Sequence, residues 1–301
     1  MVAPARQQRA VVLSTAGVFV ASVWASGVNF SMLWTVAKSQ MKDDRFTENC
    51  TLVRKETLCE GRSRGEPVRR FVFQPPPNAS MTVQTGLRQV VVVNAVGVRR
   101  LYSPTSKPRQ DGTFDLVIRV YRQGRVSRWL DSLRLGDSVS MTWPYPTPLP
   151  SNRRNPGRHV GLIAFGIGIT ELYRTAVQEL ADPRVREVVL LYATRTMEEQ
   201  QVLKSELREL ACQEPKRFRL VAILSEEQVP GVLFGRLNSS VLAEVFPWQA
   251  DGLRRGARFI PAGTKAMIQA AHTWLEELGY RPDRYKLIRD ATMLRRHNLT
   301  K

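Results

Sequence analysis

A chain of 301 residues with 43% hydrophobic and 24% charged residues has the composition of a globular protein with one large or two ordinary domains, which excludes wholesale disorder. Its formal net charge of +18 predicts anionic partners: nucleotide cofactors, acidic proteins, anionic lipid or nucleic acid. The basic residues are dispersed, in pairs such as Arg153-Arg154 and Arg254-Arg255, with no zinc spacing and no aromatic-basic RNA signature, which argues against nucleic acid. From residue 11 to residue 37 there is no charge, and Val18, Phe19, Val20, Trp24, Phe30, Leu33 and Trp34 give a stretch long enough to cross a bilayer as a helix. Trp34, close to Lys38, suits a membrane interface. Residues 1–42 therefore read as a single-pass anchor. A cleaved secretory signal is disfavoured by the length of the apolar region, and a mitochondrial presequence by its poverty in arginine.

Residues 43–66 are charged and read as a linker. From residue 67 to residue 150 the pattern is β-like: Arg69 to Phe73, Val90 to Val93, Phe114 to Tyr121 and Ser138 to Trp143 are β-branched or aromatic runs, punctuated by Gly112, Gly124 and Gly136. Short strands at this spacing predict a barrel or sandwich. Past the proline-rich hinge Pro144 to Pro156 the period changes. Strands at 160–165, 188–192, 218–224 and 258–261 alternate with helices carrying Leu172 to Leu180, Glu198 to Ala211 and Met267 to Leu275. That alternation predicts a doubly wound parallel sheet over 157–290, with 291–301 as a tail.

Cys50, Cys59 and Cys212 make no disulfide framework, and His159, His272 and His297 are too scattered for a metal site. The chemistry-bearing segments lie elsewhere. Arg100-Leu101-Tyr102-Ser103-Pro104-Thr105-Ser106 puts a cation, a ring and hydroxyls at a strand end, where they suit a phosphate and a flat heterocycle. Alone, the segment is equally a strand end with a Ser-Pro turn. Gly124-Arg125-Val126-Ser127 reads as a helix start, either an anion site or an ordinary N-cap. Gly166-Ile167-Gly168-Ile169-Thr170 sits between a strand and a helix, where open α/β sheets bind ligands, though tight turns need glycine there anyway.

Taken in order, these pieces resemble the ferredoxin-NADP reductase superfamily, most closely its NADH-cytochrome b5 reductase branch. The flavin motif of that family, Arg-x-Tyr-(Ser/Thr)-x-x-Ser, is matched by Arg100, Tyr102, Ser103 and Ser106, and Gly124-x-x-Ser127 is similar to its second motif. The resemblance covers about residues 50 to 290. It implies a Greek-key antiparallel β barrel for FAD followed by an α/β nicotinamide domain. It also implies FAD contacts from Arg100, Tyr102, Ser103, Ser106, Arg119 (where a lysine is usual) and Ser127, with Thr170 near the flavin. Gly166, Gly168 and Gly263 are its implied contacts to NADH or NADPH. The departures fall on the nicotinamide side: Phe165 and Ile167 in the glycine turn, and Ala262 where the family has a cysteine.

Two roles follow from the resemblance. One is an anchored reductase that passes electrons to an acidic haem protein such as cytochrome b5. The other is an accessory subunit of a membrane complex that keeps FAD and takes NADH poorly. The basic balance favours a mitochondrial membrane, with the endoplasmic reticulum as the other candidate.

Overall fold

Among the described residues the first element is a strand of 13 residues, β1 (Thr47–Cys59), where the charged sequence suggests a linker. The computed structural model describes residues 47–61, 64–77, 87–106, 109–148, 159–248 and 257–280; the anchor reading of 1–42 and the tail 291–301 lie outside them. Among the described residues no helix is long and apolar enough to cross a membrane. The linker reading of 43–66 is corrected: β1 lies inside the sheet, paired antiparallel with both β2 (Val68–Gln74) and β6 (Ser138–Pro148). Its charges mislead because Arg54, Lys55 and Glu56 are exposed, whereas Cys50 and Leu52 are fully buried in the barrel core.

The remaining barrel strands are β3 (Leu87–Ala95), β4 (Val98–Tyr102) and β5 (Phe114–Arg119). The order β4-β3-β6-β1-β2-β5 leaves β4 and β5 at the two ends, and a bridge between Pro104 and Leu116 brings those ends together. This is the predicted antiparallel barrel. Helix α1 (Arg125–Ser132) sends Val126 and Leu130 into its core of Leu52, Phe71, Phe73, Phe114 and Met141.

All six residues of β5 are buried, although Asp115 and Arg119 are charged. Side chains alternate across a strand, and the two faces of β5 meet different neighbours. Phe114, Leu116 and Ile118 belong to the barrel core, while Val117 belongs to the core of the following α/β domain, together with Cys59 and Val68. Asp115 and Arg119 on that same outer face are neutralised by ion pairs, which removes most of the penalty of burying them.

The α/β domain is a five-stranded parallel sheet in the order β10-β9-β8-β7-β11. Its strands are β7 (His159–Phe165), β8 (Glu187–Thr194), β9 (Phe218–Leu224), β10 (Leu233–Phe234) and β11 (Ala257–Ala262). Between them run α2 (Ile169–Leu180), α3 (Met197–Gln200), α4 (Lys204–Gln213), α5 (Ser239–Val245) and, after β11, α6 (Lys265–Glu277). Chain order reverses between β7 and β11, so the crevice at their carboxyl ends is where such a sheet binds ligands. The barrel adjoins this domain through polar contacts as well as the shared core. Glu60 N donates to Glu198 Oε1 (2.9 Å), Arg119 Nη1 to Glu199 Oε1 (3.1 Å), Arg174 Nη1 to Ser106 O (3.4 Å), and Arg70 pairs with Glu206.

Candidate flavin and dinucleotide cleft

Between barrel and sheet lies a cleft of about 1010 Å³, at the upper end of the range for small-molecule sites and wide enough for a dinucleotide. From the barrel come Arg100, Tyr102 and Ser103. Arg100 and Tyr102 are two apart on β4 and so share a face. Among the described residues Arg100 donates only to the neighbouring Arg99 O (2.9 Å), which leaves most of its fork for an anion. Burial raises the pKa of the Tyr102 phenol, only partly offset by Arg100, so the ring is neutral in ordinary conditions.

Helix α1 closes the barrel side of the cleft. Its N-cap is Gly124, with no side-chain cap and no acidic residue in the first turn. Among the described residues the amides of Arg125, Val126 and Ser127 therefore stay open at a helix N-terminus that lines the cleft, a set of donors suited to phosphate. Together with Arg100 these donors fit an FAD pyrophosphate. Ser127 lines the cleft too, but its Oγ accepts from Tyr121 N (3.2 Å) and shapes the turn.

One expected contact falls outside. Ser106 does not line the cleft; its Oγ accepts from Asp115 N (3.0 Å) and it is 8% exposed, so the hydroxyl is spent joining the ends of the barrel. Arg119 lines the cleft but is committed elsewhere, to Glu199 across the domain boundary. Glu199 in turn accepts from Arg195 N (3.3 Å) and from the Arg195 guanidinium. Burial pushes the Glu199 carboxyl up, but the Arg195 hydrogen bonds and the Arg119 charge outweigh it and hold the group below the usual carboxylate range.

On the sheet side the turn Gly166–Gly168 follows β7, with Gly166 at φ +52°, and Thr170 Oγ1 donates back to Ile167 O (3.0 Å). A Cβ on Gly168 would lie 2.3 Å from Ala262 O, so only glycine lets this turn close on the end of β11. Gly263 is equally constrained: a Cβ there would lie 2.7 Å from Phe165 Cβ and 3.1 Å from its ring. Gly166, Gly168, Thr170, Ala262 and Gly263 thus line the same cleft, with Phe165 pressed among them. Ser225 and Arg236, from the ends of β9 and β10, line it as well and were not anticipated; the only signal for them is their place just past the carboxyl ends of parallel strands.

Comparison with known proteins agrees with this division. Residues 49–147 match the family described as the oxidoreductase FAD-binding domain, and residues 162–273 the oxidoreductase NAD-binding domain. The chain is 33% identical over 219 residues to NADH-cytochrome b5 reductase 1 of Mycosarcoma maydis, covering 70% of this chain but 64% of that protein, less than two thirds of its length. It is 29% identical over 280 residues to NADH-cytochrome b5 reductase 1 of Arabidopsis thaliana, covering 89% of this chain and 93% of that protein. Among solved structures, the cytochrome P450 reductase of Amycolatopsis superposes with a TM-score of 0.64 at 25% identity, covering 79% of this chain and 68% of the other. An FAD-binding barrel joined to an NAD-binding sheet places this chain in the ferredoxin-NADP reductase superfamily, as a cytochrome b5 reductase-like member.

Proposed function

We propose that the chain is a membrane-anchored flavin reductase that accepts a hydride from a reduced nicotinamide dinucleotide and passes electrons on to a haem protein. The observation that carries this reading is the cleft itself, where Arg100, Tyr102 and Ser103 of the barrel face the Gly166–Thr170 turn of the sheet. Bound FAD supplies the hydride acceptance and one-electron release that side chains do not perform. The residues of this chain bind and orient: Arg100 and the open amides of α1 hold the pyrophosphate, and the neutral Tyr102 offers its ring to the isoalloxazine. Thr170, held by Ile167 O, faces the flavin from the sheet.

Several of the relatives are named NADH-cytochrome b5 reductases, which supports cytochrome b5 or a similar acidic haem protein as the acceptor. The net charge of +18 suits such a partner by steering its approach. Residues 11–37 supply the anchor in this reading, in a mitochondrial membrane by preference.

Phe165 favours a second reading, an accessory subunit of a membrane respiratory complex that keeps FAD and takes the dinucleotide poorly. Its ring occupies the approach to Gly263, where the resemblance puts the nicotinamide. Anaerobic titration of the purified chain separates the two. Yellow protein that NADH or NADPH bleaches is the expected result for the reductase. Yellow protein that only dithionite bleaches leaves the accessory role, and folded protein with no flavin overturns both.

A further inference from the structure

Three apolar side chains stand exposed at turns or irregularities of the barrel, where polar residues are ordinary: Leu135 (64%), Val53 (43%) and Val96 (42%). Val96 and Gly97 form the two-residue turn between β3 and β4, closed by the pair Ala95 and Val98. Both sit in the left-handed region, at φ +46° and +69°, where asparagine followed by glycine is the favoured choice and a β-branched residue is strained. Leu135 tips a turn that closes twice, by Asp137 N to Arg134 O (3.1 Å) and by Arg134 N to Asp137 Oδ2 (2.7 Å). Val53 is the extra residue of a β-bulge, because β1 pairs Leu52 with Phe73 and Arg54 with Val72.

The three points share one rim. The registers Thr51↔Ser138 and Val93↔Met141 bring the β3–β4 turn, the entry to β6 and the bulge of β1 to the same end of adjacent strands. Leu52 N donates to Asp137 O (2.9 Å) and Gly136 N to Leu52 O (2.8 Å), which ties the Leu135 turn to the bulge. Arg125 Nη2 donates to Val96 O (2.7 Å), and Lys55 Nζ to Asp131 O (2.8 Å) and Leu133 O (3.0 Å), so both ends of α1 brace the rim. Single exposed apolar residues are ordinary, but three held outward together by braced turns make a contact surface. Charge along it is mixed: segments 53–56, 95–99 and 131–137 carry Arg54, Lys55, Arg99 and Arg134 against Glu56, Asp131 and Asp137. Such a balance favours neither an acidic nor a basic partner.

We propose that this rim rests on a bilayer surface, with Val96, Leu135 and Val53 dipping into the headgroup layer. The proposal rests on the anchored reading above and adds which face of the barrel meets the lipid. Zwitterionic headgroups present both signs and so match the mixed charge of the rim, while the apolar points reach the acyl boundary between them. Residues 38–46 separate the uncharged stretch 11–37 from β1, a reach of about 30 Å at most. Val53 lies about 20 Å along β1 from Thr47, within that tether. A tethered surface needs little affinity of its own, since its effective concentration at the bilayer is already high. A second copy is a poorer occupant: a stable dimer takes about 20–30 residues a side, and three apolar points supply far fewer. None of the three lines the cleft, so the contact leaves it open to donor and acceptor.

Depth-dependent fluorescence quenching on the full-length, flavin-loaded protein in phosphatidylcholine vesicles tests this. Cys212 is exposed on α4 while Cys50 and Cys59 are buried, so wild-type protein labelled with bimane carries a reference probe on the sheet domain. Cys212→Ser combined with Leu135→Cys moves the probe to the rim, at a position too exposed for the label to disturb the core. Brominated acyl chains are expected to quench the rim probe at least about threefold more than the reference, as insertion to the acyl boundary requires. Val53→Asp with Val96→Asn, the latter suited to its left-handed turn, is expected to cut that excess by about half or more. Equal quenching at the two probes overturns the proposal, and so does an excess that the double variant leaves unchanged. A rim probe untouched by lipid but shifted to the blue as protein concentration rises in detergent gives the rim to a second copy and also overturns it. Flotation of the same vesicles after a high-salt wash reports the anchor separately: protein that floats with equal quenching keeps the anchor and loses the rim, and protein that does not float loses both.

Discussion

Phe165 ends β7 at 9% exposure, and its ring leaves no room for a side chain at Gly263. A ring in that position does two opposing things. It contributes apolar burial where sheet and turn meet, and it narrows the cleft beside the expected flavin. Truncating a buried phenylalanine costs about 3–5 kcal/mol, and a residue at a cleft wall falls at the low end of that range. Phe165→Ala is therefore expected to lose about 3 kcal/mol in urea unfolding while speeding anaerobic flavin reduction by the dinucleotide in stopped flow. A variant that loses stability but reduces no faster would show that the ring does not obstruct the donor. Arg100 gives the complementary prediction. A hydrogen bond to a charged group contributes about 1.5–3 kcal/mol, so Arg100→Ala is expected to weaken FAD retention by about tenfold or more, read by flavin absorbance after dialysis. Unchanged flavin content would remove Arg100 from the site.

At the level of elements, the segment after β8 shows what periodicity conveys and what it hides. The sequence reads one helix near 198–211, whereas the chain forms α3 and α4 with Leu203 between them at φ +61°. No residue type announces that break, because a left-handed leucine is set by its burial: Leu203 is 1% exposed and belongs to the core of the sheet domain. The magnitudes decide which effect wins. Left-handed backbone costs about 1–2 kcal/mol for a residue with a Cβ, while burying a leucine side chain contributes about 1.5–3 kcal/mol, with a cavity cost added on its removal. Leu203→Gly is thus expected to destabilise by about 1–3 kcal/mol in chemical unfolding despite relieving the backbone; a rise in stability would show the strain to be the larger quantity. The same contrast explains the other misreadings. β1 is obscured by its exposed Arg54-Lys55-Glu56, and β10 is two residues long, too short for any alternation to register. The long buried strands β7 and β8 were legible because every position from Val160 to Phe165, and from Val188 to Tyr192, is buried and apolar or glycine.

In the whole molecule, barrel and sheet are coupled by groups that no local pattern could pair. Arg119 and Glu199 are 80 residues apart, and Arg70 and Glu206 are 136 apart. Arg70 also lies 3.7 Å from Asp115, which Arg109 grips through both oxygens at 2.6 and 3.0 Å, so a polar chain runs from the barrel into α4. The motif at Arg100 to Ser103 was legible because it is local; the way Arg119 and Glu199 answer one another was not. Losing one partner of a buried pair leaves an uncompensated charge, at a cost of about 3–5 kcal/mol. Glu199→Gln should approach that figure, because Arg119 then stays buried without its counter-charge.

The pH dependence follows from the same pair. The folded protein holds the Glu199 carboxyl below its ordinary value, since the Arg195 hydrogen bonds and Arg119 charge outweigh the upward push of burial. A depressed carboxylate contributes stability that is complete above the unfolded value of about 4.3 and is lost as pH falls through the folded value. Wild-type protein and Glu199→Gln, unfolded by denaturant at pH 6 and again at successively lower pH, are therefore expected to differ most at pH 6, to begin converging near the unfolded value of about 4.3, and to meet only once pH has passed below the folded value. Other carboxylates titrate in both proteins, so only the narrowing of the gap reports on Glu199. A gap that stays constant across that range would assign the acid sensitivity to a different group and leave the Arg119–Glu199 contact without an energetic role.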